Sequence, residues 1–417
     1  MNQYKVGVVG VGRVGLPLAL SLIKNGISAI GFDINKDLIS SINKKKIPFH
    51  EEGYDDLIKE IDFSVTSDFS KIKEVDNIII TVGTPLLANI ETDLSQIKIV
   101  LNSIIKFLNP KHNIILRSTV APNTTEFVKR YIESNTEFKV GDDVYLSFCP
   151  ERIAEGKALV ELEKLPQIIG SRDSLSAKLA ENIFTHISPK IFHTDYISAE
   201  LVKLFNNTYR YINFSISNQF AMIADDFGAN IHEILEMTNT DYPRGKIPSP
   251  GLTAGTCLRK DFGMINETNS HSDLLLNSWK VNEFIPKFLV QRTLKETTIF
   301  GKNIGILGYT FKMDTDDTRD SLVPKIIRYI DREVPKNIYI HEPNIKGKLD
   351  KKFENNSIEL ILEKCDIIFL ALNHSVFKQN IIDIIKNSKN KCVFNDFWNI
   401  SGTNKIIFSK QDYEQIK

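Results

Sequence analysis

The sequence predicts an α/β protein with two doubly wound parallel sheets joined by a long central helix. Three observations predict it. Short apolar runs alternate with helical periodicity through residues 1–195, the same alternation returns in residues 301–417, and between them Ser198–Phe227 runs without a Gly or Pro. Strands alternating with helices are the pattern of a parallel sheet covered on both faces.

Tyr4–Val9 is a short apolar run ending at a glycine, the mark of a strand buried on both sides. A helix follows from about Val14 to Asn25, stopped by Gly26. Ala29–Phe32 is the second strand, Asp33 ends it, and Asn35 can cap a helix beginning at Lys36. Asn77–Val82, Asn113–Ser118 and Val144–Cys149 are three further strands. In Ser198–Phe227 apolar residues recur at helical spacing on more than one face, including Leu204, Ile212, Ile216, Phe220 and Ile223. That predicts a long helix buried between domains or subunits. Helices are expected near Ile231–Asn239 and Trp279–Phe300, and strands at Asn303–Leu307, Asn337–His341, Asp366–Leu372 and Cys392–Asn395. The expected organisation is an α/β domain over residues 1–195, a helical connector over 196–300 and a smaller α/β domain over 301–417. The two α/β halves show no repeat detectable in sequence.

Composition narrows the function. The 417 residues carry 52 Lys plus Arg and 52 Asp plus Glu, a net charge of zero, so no long-range field draws the chain to nucleic acid or an anionic membrane. Hydrophobic residues at 42% and charged residues at 25% fit a soluble globular protein. The apolar run at 6–23 is broken by Arg13 and by glycines, and reads as strand, turn and helix rather than as a signal or membrane segment. Cys149, Cys257, Cys365 and Cys392 are scattered and the histidines dispersed. No disulfide scaffold and no metal site are expected, and a reducing cytoplasm fits best.

Gly10-Val11-Gly12-Arg13-Val14-Gly15 follows a strand, opens a helix, and is followed by Asp33 eighteen residues after Gly15. In that context Gly10 allows the tight turn, Gly12 lets the backbone approach a pyrophosphate on the helix N-terminus, and Gly15 lets helix and strand pack closely. Asp33 can accept from ribose hydroxyls and would repel a 2′-phosphate, which favours NAD over NADP. Arg13 and Val14 belong to the same candidate cofactor turn. Thr84 and Thr119 lie at carboxyl ends of predicted strands, where ligands bind in such sheets or where turns simply cap helices.

A second constellation is Pro250–Asp261, in which a glycine-rich approach delivers Cys257 to a helix start. A helix N-terminus and the nearby Arg259 and Lys260 can lower a thiol's pKa, and the thiolate is the nucleophile. The residues alone leave Cys257 equally readable as a small buried apolar side chain. Lys203 and Asn207 share one face of the central helix, aimed at a site or at solvent. Glu151 and Glu155 follow the fifth predicted strand, for acid–base work or as a solvated loop.

The motifs GVGRVGLPLA, VGTP, STV, CPERIAEGKALVEL, AELVKLFNN, PGLTAGTCLRKD and FKMDTDDTRDS, in this order over essentially the whole chain, resemble the UDP-glucose/GDP-mannose dehydrogenase family. The resemblance implies an NAD-dependent nucleotide-sugar 6-dehydrogenase. It implies an N-terminal Rossmann-like NAD domain, a central helix at a homodimer interface, and a C-terminal Rossmann-like domain that holds a UDP-sugar. By the same resemblance Cys257 attacks the aldehyde to form a thiohemiacetal, which is oxidised to a thioester and hydrolysed. Lys203 and Asn207 stabilise the alkoxide, Asp261 and Thr119 position water, and Glu155 serves acid–base roles. Glu151, Arg152, Tyr242, Arg244, Gly255, Lys260, Lys312 and Arg319 are implied at the substrate, with Lys312 and Arg319 on the diphosphate or sugar.

The segment from Glu151-Arg152 resembles the branch acting on UDP-N-acetylhexosamines, whereas Cys257–Asp261 resembles the UDP-glucose and GDP-mannose branches. Thr256 stands where the amino-sugar branch often has His. The implied substrate is a UDP-N-acetylhexosamine such as UDP-ManNAc or UDP-GlcNAc, with UDP-glucose and GDP-mannose as alternatives. A hydroxyacid dehydrogenase of the 6-phosphogluconate type would lack both the thiol and the second α/β domain. A non-catalytic NAD-binding regulator would keep the glycines and Asp33 but not Lys203, Asn207, Cys257 and Asp261.

Overall fold

The structure is a computed structural model that describes residues 4–87, 91–269 and 271–416; the side chains of Thr256, Cys257, Thr268 and Ile416 lie outside the described set. The chain divides into two compact units, Met1–Asn207 with Gly263–Ser270, and Thr208–Phe262 with His271–Lys417. Among the described residues each unit is built on one sheet.

The first sheet has eight strands: β1 Lys5–Val9, β2 Ser28–Phe32, β3 Val65–Thr66, β4 Asn77–Ile80, β5 Asn113–Leu116, β6 Tyr145–Phe148, β7 Gln167–Ser171 and β8 Ile191–Thr194, in the order β3-β2-β1-β4-β5-β6-β7-β8. Every residue of β4, β5 and β6 is buried, as the unbroken apolar runs require. The chain steps outward from β1 to β3, then returns to β4 on the other side of β1. The crevice at the carboxyl ends of β1 and β4 is therefore the switch point where such sheets bind ligands. The helix Gly15–Lys24 leaves that crevice, buries Leu16, Leu18, Leu20 and Leu22, and ends at Asn25, with Gly26 at φ +86°. Asn35 caps the helix Lys36–Asn43 by accepting from the N–H groups of Asp37 and Leu38.

The second sheet has five strands: β9 Asn303–Leu307, β10 Asn337–His341, β11 Ile367–Leu370, β12 Val393–Asn395 and β13 Ile407–Ser409, in the order β10-β9-β11-β12-β13. Its own switch point lies between β9 and β11. The expectation of two α/β sheets holds, but neither is wholly parallel: β7 runs antiparallel to β6, and β13 to β12. A parallel neighbour needs a crossover that returns the chain to the opposite end of the strands. The β6–β7 link has only the seven-residue helix Ala158–Lys164, and its loop is pinned at the carboxyl edge; the β12–β13 link has no helix.

Four helices, Tyr196–Asp226, Ile231–Asn239, Thr256–Thr268 and Asp273–Glu296, lie between the two α/β segments of the chain. The last begins six residues before the expected Trp279 and ends at Glu296 rather than Phe300. The unit boundary falls inside the first helix, after Asn207, and inside the third, after Phe262. In the second unit Asn218 is fully buried. It donates to Asn282 Oδ1 at 2.9 Å and accepts from Gly251 N at 2.8 Å, which anchors the glycine-rich approach to Cys257.

Candidate active site

In the first unit the glycine turn closes over the end of β1. Gly10 sits at φ +91°, and its N–H donates to Phe32 O at 2.8 Å. A Cβ on Gly15 would lie 2.0 Å from Gly10 O, so this glycine is a steric necessity. A Cβ on Gly12 would meet nothing within 4 Å: its face of the turn is open space. Val14, the residue before the helix, offers no capping side chain. Asp33 accepts from Val11 N at 3.0 Å and Asn35 N at 2.9 Å, so its carboxylate is aimed at the turn. Gly10, Gly12, Asp33, Phe69, Val82 and Ile99 are among the residues lining a cavity of about 220 Å³. Thr84 is buried, and its hydroxyl donates to Thr119 O.

The loop after β6 is held by carboxylates. Glu151 accepts from Arg152 N and Ile153 N, Glu161 from Ala154 N, and the buried Glu51 from Gly156 N and Ala158 N, at 2.6–3.1 Å. The other oxygen of Glu151 takes Arg117 Nε at 3.0 Å and Nη2 at 2.5 Å. Arg117 is 0% exposed, lies 4.7 Å from the Phe184 ring centroid and donates to Cys149 O and Gln167 Oε1. Arg152 turns to Pro166 O. Glu155 pairs with Arg13 of the glycine turn at 2.5 Å, and that guanidinium lies 5.2 Å from the Phe49 ring centroid.

On the long helix, Lys203 is 8% exposed and Asn207 6%. Lys203 has no hydrogen-bond or ion-pair partner among the described residues, an expensive arrangement for an ammonium unless something else answers its charge. One turn earlier, Glu200 accepts from Asn123 N and Thr125 N at 2.7 Å and from Thr125 Oγ1 at 2.6 Å. It ties the Lys203 helix to the turn that follows Thr119. Burial raises the Glu200 carboxyl above its ordinary value.

In the second unit Cys257 lies in the first turn of Thr256–Thr268, and its side chain is outside the described residues. Asp261 is 1% exposed, with Lys260 Nζ 3.8 Å from its Oδ1. Arg259 pairs instead with Glu283 at 2.8 Å, which also takes Lys325 at 2.9 Å. Gly255, at φ +95°, packs so closely that a Cβ would lie 2.3 Å from Phe311. Arg244 Nε donates to the Tyr242 hydroxyl at 2.9 Å on an exposed loop. Lys312 Nζ lies 5.6 Å from the Phe311 ring centroid, and the Arg319 guanidinium forks onto Asp317 at 2.6–3.0 Å.

The second unit repeats the first unit's turn, which the sequence concealed. Gly308, at φ +99°, donates to His341 O at 2.8 Å as Gly10 does to Phe32. Tyr309 N donates to Glu342 at 2.8 Å as Val11 N does to Asp33. The carboxylates differ. Glu342 is 0% exposed and is also bonded to Asn344 and His374.

The chain matches the UDP-glucose/GDP-mannose dehydrogenase family in three parts: the NAD binding domain over residues 4–188, the central domain over 197–283 and the UDP binding domain over 305–403. The chain belongs to this family. It is similar to a UDP-N-acetyl-D-mannosamine dehydrogenase from Pyrococcus horikoshii, 32% identical over 93% of this chain and 94% of that one. One from Campylobacter jejuni is 31% identical over 90% and 97%. A solved structure of the UDP-D-ManNAc dehydrogenase from Pyrococcus horikoshii superposes with a TM-score of 0.85 at 31% identity, covering 93% of this chain and 94% of that one. The chain is thus an NAD-dependent UDP-sugar dehydrogenase, an oxidoreductase.

The first unit's residues fit the dinucleotide. The open face of Gly12, the uncapped N-terminus at Val14 and the Asp33 carboxylate are the three features that an adenosine diphosphate needs. Among the described residues no helix is long and apolar enough to cross a membrane. Sequence reasoning missed Arg117, Glu51, Glu200, Glu342 and His374. Arg117 carried a signal, a charge within an apolar strand run. The others act through contacts remote in sequence.

Proposed function

We propose that the chain oxidises C6 of a UDP-N-acetylhexosamine, such as UDP-ManNAc or UDP-GlcNAc, to the uronic acid in two steps through a Cys257 thiohemiacetal and thioester. The carrying observation is Lys203: a buried ammonium without a partner suits an anion that forms only during the reaction. NAD, when bound, accepts the hydride at each oxidation. Lys203 and Asn207 stabilise the C6 alkoxide. Cys257 adds to the aldehyde, because an aldehyde is a poor hydride donor and its tetrahedral adduct a good one. Asp261 and Thr119 position the water that hydrolyses the thioester, and Glu155, held by Arg13, moves the protons. Glu151 acts locally, its carboxylate committed to Arg117 and two loop N–H groups.

The amino sugar is supported by relatives, matched over nearly their whole length, that are named UDP-N-acetyl-D-mannosamine dehydrogenase. In this reading residues 1–195 bind NAD, 196–300 connect and dimerise, and 301–417 hold the nucleotide, with Lys312 and Arg319 on the diphosphate and Arg244 on the sugar. A homodimer is supported by the second unit's part of the long helix. Tyr209, Ile216 and Ile223 repeat every seven residues, with Phe220 and Phe227 beside them, and all are 40–84% exposed. The cytoplasm is supported by the buried free thiols of Cys149, Cys365 and Cys392.

NADH released per sugar tests the reading, over UDP-ManNAc, UDP-GlcNAc, UDP-GalNAc, UDP-glucose and GDP-mannose. Two NADH per N-acetylhexosamine are expected. UDP-glucose or GDP-mannose as the best substrate would reverse the sugar assignment. Full turnover by Cys257→Ser would end the covalent mechanism.

A further inference from the structure

The buried His374 stands just past β11, at the second unit's switch point. Its Nδ1 accepts from Asp314 N at 2.9 Å, with Asn344 Nδ2 at 3.1 Å. A backbone N–H can only donate, so Nδ1 carries no proton and Nε2 does. Nε2 faces Glu342 Oε2 at 3.1 Å and Thr310 Oγ1 at 3.5 Å. Asp314 is held at φ +52°, a left-handed conformation that costs a non-glycine residue free energy. His374 and Ser375 grip it together, Ser375 N and Oγ donating to its carboxylate at 2.9 and 2.6 Å. Between Gly308 and Asp314 the loop is braced once more, where Thr310 Oγ1 donates to Lys312 O at 2.9 Å. Lys312 lies within this loop, half-buried, with its Nζ 5.6 Å from the Phe311 ring centroid.

We propose that His374 is a positioning residue for substrate: in its Nε2–H tautomer it ties Glu342 to Asp314 and so sets the loop that presents Lys312 to the nucleotide diphosphate. This rests on the reading that Lys312 meets the diphosphate. The two bonds separate by substitution. In His374→Asn the amide oxygen takes the place of Nδ1 and keeps the bond from Asp314 N. In His374→Gln the amide nitrogen takes the place of Nε2 and keeps only the Glu342 bond.

Binding of UDP to the full-length protein, measured by calorimetry with NAD present, tests this alongside Lys312→Met. His374→Asn should bind UDP within about twofold of wild type, and His374→Gln and Lys312→Met at least about tenfold more weakly, with NAD affinity unchanged in all three. Wild-type UDP affinity in His374→Gln alongside weakened Lys312→Met would overturn the role of His374 and leave the Lys312 reading standing. Equal loss in both His374 variants would also overturn it, by showing that packing, not the Nδ1 bond, is what matters. Wild-type affinity in Lys312→Met would remove the reading beneath it.

Discussion

Arg117→Leu is the most direct test of how the acidic loop is built. Arg117 is 0% exposed and the Glu151 side chain 8%, so neither charge has water to fall back on. Truncating one partner of such a pair leaves the other buried and unanswered, at a cost of about 3–5 kcal/mol. Four hydrogen bonds from the guanidinium to Glu151, Cys149 O and Gln167 vanish with it. For a unit of roughly 200 residues, about 4 kcal/mol lowers Tm by about 8–16 °C. Differential scanning fluorimetry reads that shift directly. The double variant Arg117→Leu/Glu151→Leu should recover much of the loss, since it buries no lone charge. Glu151→Gln should also lower Tm, by less. A Tm within 2 °C of wild type for Arg117→Leu, or a Glu151→Gln that changes only the KM for the sugar nucleotide, would refute the structural reading of the pair.

Other expectations are as concrete. Gly12→Ala should leave Tm unchanged and weaken NAD binding about tenfold or more by fluorescence titration, because its Cβ enters only ligand space; Gly15→Ala, 2.0 Å from Gly10 O, should lose both fold stability and NAD. Lys203→Met should raise Tm slightly while cutting kcat by about 10²–10³, the trade expected when an uncompensated buried charge serves an oxyanion; a lower Tm would show that the lysine is structurally bonded. For Glu200 the sign runs with its raised pKa. The folded state takes up a proton more readily than the unfolded chain, and that contribution is full below 4.5 and lost as pH rises through the folded value. The Tm of wild type minus that of Glu200→Gln should therefore shrink as pH rises above 4.5 in thermal scans; a difference that grows would contradict the burial argument.

What could be read from sequence was what local chemistry decides. The strands β1, β2, β4, β5, β6, β9, β10, β11 and β12 announce themselves by apolar runs, and Asn35 caps the helix it was expected to cap. The strands that escaped are short or marginal. β3 has two residues, β13 three, and β8 is an edge strand with Phe192 and His193 exposed. β7 hides behind Pro166 and runs against the grain of the sheet. In the candidate site, the glycine turn was legible because every part of it lies within one strand–turn–helix. Glu51 and Glu200 were not, because each reaches its partners from 75 to 107 residues away, a distance no periodicity spans. The same holds for His374, whose bond to Asp314 crosses 60 residues.

The twin turns at Gly10 and Gly308 bear on how the protein keeps two alike ligands apart. NAD and a UDP-sugar each carry a ribose and a diphosphate, and the two units offer each the same strand, glycine and acidic residue. Only Asp33 keeps oxygen capacity that a ribose hydroxyl could use. Glu342 has spent its own on Tyr309, Asn344 and His374 inside the protein. Sorting therefore begins before any ligand arrives, in the choice of which carboxylate is left open. Reassigning a nucleotide to the other unit would take more than reshaping a pocket: it would mean unfastening Glu342 from the buried cluster that steadies the Lys312 loop.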